Sequence, residues 1–297
     1  MISYNPRDWF TFIFRFHKSD TLRQLFPLII TIAIFSTLIA VLEMEVWELS
    51  DASRLKNLPL LHTLTSFVIG MLLVFRTNTA YDRWWEGRKL WGSLVNNARN
   101  LAMKLGAFLS KEDYVNRNYF KILIPAFATV LARHLNKEST RLELFEDEIF
   151  RNRIKFDKHV PNQVAAMLIR RVNRLYTDNK ISGNQLILLN NELQSFADIC
   201  GACERIKNTP IPYSYSVFIK KFIFFYVMTM PFGFVFTLGY LMVPLVCFIF
   251  YILSSLELMA EKIEDPFGGD PNDLPTMLIA SNIQKHVDEI LTIPKQV

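Results

Sequence analysis

Four groups of residues in this chain have types and spacings on which chemistry can be built. Cys200-Gly201-Ala202-Cys203 is a C-x-x-C pair, a spacing that suits a thioredoxin-type dithiol or one half of a zinc site. A dithiol of that kind needs a βαβ setting, and a zinc site needs a second pair of ligands. The pair here lies in a helical stretch, and His17, His134, His159 and His286 stand at no metal-ligand spacing. Cysteines that simply pack are the plainer reading. The segment Glu261–Pro275 (EKIEDPFGGDPNDLP) combines acids with Gly and Pro, so it reads either as an oxygen-rich turn for Ca²⁺ without EF-hand spacing or as a solvated acidic turn. His62 is ionisable within an apolar run, which makes it a transport candidate, although it sits near the end of that run within reach of water. Finally, Phe67, Met71 and Phe75 recur at i, i+4 and i+8 and share one helical face. Ser66 and Gly70 form a small-xxx-small pair beside them, and Thr63 lies on a similar side. Such a stripe either packs against lipid and neighbouring helices or faces a pore as a constriction that gates by dewetting. The chain has no P-loop, no G-x-S-x-G and no HExxH, so enzymatic chemistry has little support.

The elements that must carry these residues are apolar. Of 297 residues, 51% are hydrophobic and only 21% charged, with 25 Phe; a soluble protein rarely covers its surface with so little charge. The low Gly, Pro and Cys counts (10, 13 and 3) exclude collagen, disordered and disulfide-framework chains. A net charge of +5, spread along the chain, gives no nucleic-acid footprint. Gln24–Leu42 and Asn57–Phe75 are each 19 residues without a charge, just enough to cross a hydrocarbon core of ~30 Å as a helix. Phe222–Leu256 is 35 residues without a charge, which exceeds a single crossing. Thr237–Tyr240 near its middle, with Pro231 and Pro244 on either side, reads as the turn of a hairpin. Four crossings result. Arg7, Arg15, Lys18 and Arg23 precede the first, Arg76, Arg83, Arg88 and Lys89 follow the second, and Arg205, Lys207, Lys220 and Lys221 precede the third. The loop after the first crossing has only Arg54 and Lys56 against Glu43, Glu45, Glu48 and Asp51. Both termini and the long middle are thus expected on the cytoplasmic side. The opening twenty residues lack a signal-peptide core and read as an interfacial segment rich in aromatics.

Residues 76–221 are amphipathic with little Gly/Pro punctuation, and helices are expected near 78–109, 112–136, 141–157, 161–178 and 183–207. The second crossing is expected to run straight into the 78–109 helix. Ser110 ahead of Lys111-Glu112-Asp113 is a candidate N-cap, Pro161 fits a first helical position, and Asp178-Asn179 and Ser182-Gly183 are stop signals. No strand alternation appears.

Three stretches, FVIGMLLVFRTNTAYDRWWEGRKLWG (67–92), CERIKNTPIPYSY (203–215) and EKIEDPFGGDPNDLP (261–275), occur in the order and two-plus-two span layout of the bestrophin ion channels, and the chain resembles the short bacterial branch of that family along nearly its whole length. The resemblance implies an all-α membrane protein, with four transmembrane helices per subunit continuing into a cytoplasmic helical bundle, assembled as a homopentamer ring around a central pore in a bacterial inner (plasma) membrane. The corresponding segments are an interfacial 1–23, a transmembrane hairpin 24–77, a cytoplasmic helical region 78–215, a second hairpin 216–257 and a cytoplasmic tail 258–297. It places the family's three-turn pore neck at Phe67, Met71 and Phe75, where Met71 departs from the more usual Ile or Phe. It places the cytoplasmic aperture near Gln185, with Ile181 beside it at the helix start. The calcium clasp of animal members falls on Asp270 and Asp273, with Lys262 and Asp265 at carbonyl-donating positions. Pro271 and a shorter acidic run depart from the animal pattern, and conduction requires no cofactor. Small monovalent ions would cross the lipid bilayer passively; animal and plant relatives favour anions, and cation preference occurs on the bacterial side. The competing readings are a membrane scaffold or sensor that does not conduct, and a membrane-anchored thiol enzyme using Cys200 and Cys203.

Overall fold

The computed structural model describes residues 21–47, 57–136 and 154–292. The interfacial segment up to residue 20, the basic residues Arg54 and Lys56, and most of the helix expected at 141–157 lie outside those residues; 154–157 themselves form loop and turn. The described secondary structure is helical throughout: α1 (Thr21–Val41), α2 (Leu58–Phe108), α3 (Tyr114–Leu135), α4 (Val160–Thr177), α5 (Gly183–Asn208), α6 (Tyr213–Thr229), α7 (Pro231–Leu238), α8 (Met242–Glu264) and α9 (Thr276–Leu291). A wider π turn, Leu42–Val46, extends α1, and a 3₁₀ turn, Gly239–Leu241, joins α7 to α8. The described residues divide into two compact units, one drawn from 84–209 and 266–292 and the other from 21–83 and 210–265.

The second of these is apolar. Thr21–Val46, Leu58–Phe108 and Tyr213–Glu264 each contain a stretch long and apolar enough to cross a membrane. The last stretch folds back on itself. α7 begins at Pro231, which lacks an N–H and so fits the start of a helix. Gly239 then takes φ +53°, a value that favours glycine, and α6 and α8 pack against each other. The reversal expected at 237–240 is therefore present. α1 lies along α8, and Ile32, Ile69, Leu73, Ile223, Val246 and Phe250 form part of the shared core. Close approach is built in at Gly233, where a Cβ would stand 2.7 Å from Pro59 Cδ and 2.8 Å from Leu58 Cβ. Any side chain there would overpack the contact.

The first unit has a conventional core. Trp91, Leu94, Leu101 and Leu105 on α2 are fully buried with Phe120 and Phe127 of α3, Leu168 of α4 and Phe196 of α5, and the Phe127 and Phe196 rings meet edge to face at 4.9 Å. α2 is one helix of 51 residues, so the expected merger of the second span with the 78–109 helix is observed. The cap of α3 differs from expectation. Asp113, not Ser110, accepts from the Asn116 N–H, while the Ser110 hydroxyl accepts the Glu112 N–H and donates to the Glu112 carboxylate. The reason lies in Arg117, which donates to the carbonyls of Gly106, Leu109 and Ser110 at 2.7–3.0 Å. The Gly106 and Leu109 carbonyls are among those that helix geometry leaves without partners at the end of α2, and the Ser110 carbonyl also accepts the Asp113 N–H, so residues 109–113 are held as a turn. Burial alone would raise the Asp113 carboxyl, but hydrogen bonds from Lys180 and Asn116 and the Lys180 charge hold it below the ordinary carboxylate value. α4 starts with Pro161 in its first turn, and α5 opens with a complete capping box between Ser182 and Gln185. Asn179, with φ 55°, ends α4 at the expected stop signal. α9 has no counterpart among the expected helices. Its buried Ala280, Ile283, Val287 and Leu291 repeat at helical spacing and pack on α3.

Candidate functional site

The opening half of α2 has two opposite faces. His62, Ile69, Leu73, Arg76 and Ala80 are buried and follow the helical period. Phe67, Met71 and Phe75 are 74%, 45% and 56% exposed, one turn apart on the side turned away from the chain's own core. Hydroxyls on this helix are occupied locally: Thr63 donates to Pro59 O, Ser66 to Thr63 O, and Thr79 to Phe75 O. A Cβ added at Gly70 would meet nothing within 4 Å. The small pair Ser66/Gly70 therefore leaves open space that no described helix of the same chain fills.

No charge interrupts the stripe, and the first one after it is neutralised where it stands. Arg76, 1% exposed, lies 2.7 Å from Glu264 Oε2 and 3.5 Å from Glu257 Oε2. The other Glu264 oxygen accepts the Ile211 N–H at 2.6 Å, and Arg83 Nε donates to the Glu264 carbonyl at 3.1 Å. Sequence reasoning uses Arg76 only for orientation and misses this network. The available signal is the charge standing directly after an apolar stripe, with Glu257 directly after another apolar run. Chemically, the stripe offers neither acid, base nor nucleophile. What it offers is a run of apolar side chains without fixed charge, which resists the passage of hydrated ions unless wetted.

His62 is buried between helices, with Nδ1 3.0 Å from Leu58 O and Nε2 3.1 Å from Thr229 Oγ1 and 3.2 Å from Tyr226 O; its ring is held inside a packing contact. Cys200 and Cys203 are 1% and 0% exposed. Burial, reinforced by the nearby Glu204 charge, pushes both thiols up to about 12, so neither supplies a thiolate near neutrality. Ile181 is packed into the helical core at 5% exposure. Gln185 lies on the first turn of α5, its side-chain oxygen accepting the Ser182 N–H, with Ile187 exposed beyond it. In the 261–275 segment, Asp273 accepts the Asp270 N–H through Oδ2 at 2.6 Å, and the Leu274 N–H closes on Pro266 O at 3.0 Å. Trp84 Nε1 donates to Asn272 O, and Gly87 leaves just room for Phe267, Pro266 and Leu274. Lys262 and Asp265 precede this turn, Lys262 on α8 and Asp265 at its C-cap.

A family model described as bacterial/fungal bestrophin protein matches residues 1–289. The chain belongs to that family. Among curated bestrophin relatives, a voltage-dependent anion channel-forming protein of Nostoc sp. is 34% identical over 98% of this chain and 94% of its own. One so named from Escherichia coli K12 is 28% identical over 96% and 92%. A crystal structure of a bacterial bestrophin homologue from Klebsiella pneumoniae superposes with a TM-score of 0.81 at 25% identity, covering 91% of this chain and 100% of that one. Bestrophin family and fold are those of an ion channel in a membrane and not of an enzyme, so the thiol-enzyme reading of Cys200 and Cys203 is set aside.

Proposed function

We propose that this bestrophin assembles as a homopentamer and conducts small monovalent ions passively through a neck lined by Phe67, Met71 and Phe75. The observation that carries the reading is the uncharged, exposed stripe on a helix whose other face is buried. Among the described residues of one chain nothing covers it. A symmetric ring of subunits brings five copies of the stripe to one axis, each giving one side chain per layer, and Ser66 and Gly70 let adjacent helices approach closely. Each subunit crosses the bilayer four times, α1, α2, α6–α7 and α8 being the crossings, with both termini on the cytoplasmic side of a bacterial inner membrane. The short-loop basic residues support that orientation. The ring supplies no sign selectivity by itself, since its side chains carry no charge. The printed names of the Nostoc and Escherichia relatives support anions as the permeant ions. A second narrow point is proposed at Gln185. Conduction needs no cofactor; a regulatory calcium, as in animal bestrophins, would fall on Asp270 and Asp273. The test is the mass of the purified protein in lipid nanodiscs. Five chains per particle are expected, and a single chain would overturn the proposal.

A further inference from the structure

His134, His159 and Glu204 come from three different elements. His134 is in the last turn of α3, His159 is the N-cap of α4 and Glu204 is near the end of α5. Their ligand-capable atoms lie within 4.8 Å of one another. His134 Nε2 stands 2.7 Å from Glu204 Oε1 and His159 Nε2 2.5 Å from the same oxygen, with the two rings 4.7 Å apart. The three side chains are 34%, 34% and 27% exposed, so solvent reaches them. Burial alone would raise the Glu204 carboxyl, but hydrogen bonds from His159 and His134 outweigh it and keep it below the ordinary carboxylate value.

We propose that His134 Nε2, His159 Nε2 and the Glu204 carboxylate form a binding site for a divalent transition metal, specifically zinc. Two imidazoles and one carboxylate are a zinc donor set, with a fourth position left to water. Calcium and magnesium are poorly served, because they require six or more oxygen ligands. A tetrahedral ion with ligands at about 2.0–2.2 Å separates its donor atoms by about 3.3–3.5 Å. The two Nε2···Oε1 contacts therefore open by less than about 1 Å, a movement that the flexible Glu204 side chain can supply. His159 Nδ1 accepts the Asn162 N–H at 3.2 Å, an arrangement that leaves its ring proton on Nε2. Metal at Nε2 moves that proton to Nδ1 and releases the Asn162 amide from its cap. The ion thereby ties together the end of α3, the start of α4 and the last turns of α5, none of which carries a membrane span. The inference stands apart from conduction and from the neck.

The test uses the full-length protein in nanodiscs after treatment with a chelator. Zinc is titrated in competition with a chromophoric chelator, and Co²⁺ is added separately to read ligand type from its visible bands. One zinc per chain is expected, with nitrogen/oxygen-type cobalt bands and a higher melting temperature in zinc. His134→Gln and His159→Asn, the second of which retains a capping side chain, are expected to weaken zinc by ~100-fold or more, the upper end of what loss of an outer-shell partner alone costs. Cys200→Ser/Cys203→Ser is expected to bind zinc as the parent does. Equal affinity in parent and histidine variants, or loss of uptake in the cysteine variant, would overturn the proposal.

Discussion

Replacing Phe67, Met71 and Phe75 together by alanine is expected to raise conductance severalfold without disturbing the fold. All three side chains are exposed in the single chain, so truncation leaves no cavity in its core, in contrast to the cost that buried truncations carry. Alanine is also the best helix former, which keeps α2 intact through the substituted turns. What would change is the axis of the proposed ring, where five copies of three bulky apolar side chains would narrow the path and repel water. Removing them widens that path and lowers the dewetting barrier. Single-channel recording checks the result. An unchanged conductance, in a variant whose pentamer is intact, would show that the stripe lies elsewhere than in the pore.

Arg76→Leu is expected to have the largest effect on stability. The guanidinium is buried with two carboxylates, one of them Glu257, whose side chain is 4% exposed. Deleting the cation leaves both acids in an apolar setting without their counter-charge, a change that typically costs about 3–5 kcal/mol. That is a large share of the about 5–15 kcal/mol by which domains are held folded. Thermal unfolding in detergent should shift down by on the order of 10 °C, with reduced yield of assembled protein. Adding Glu257→Gln and Glu264→Gln should recover part of the loss. The pair removes the stranded charges, while the amide oxygen at position 264 still accepts the Ile211 N–H that the carboxylate accepts now. An unshifted transition in Arg76→Leu would contradict this account of the network.

Particular residues show how much of this is legible in the chain. The stripe at 67, 71 and 75 and the run-on of the second span into a long helix follow from side-chain periodicity and unbroken helix-compatible composition, which are local properties. The reversal near Gly239 is also local, since a positive φ favours glycine. The cap of α3 stands three residues from its expected place because its position depends on Arg117, whose carbonyl partners lie up to eleven residues earlier. α9 escapes the sequence reading although its buried residues keep helical spacing, because the acidic turn before it resembles the start of a tail. The ion-pair network and the His134–His159–Glu204 cluster are hidden for a deeper reason. Each joins residues far apart in sequence, and no spacing rule connects positions that only the packing of separate helices brings together.

A planar bilayer recording of the purified protein under a salt gradient tests conduction directly. Currents above those of protein-free bilayers are expected, with a reversal potential displaced from zero toward that of the permeant anion. A conductance indistinguishable from the protein-free bilayer, with the protein shown to be folded and inserted, would contradict it.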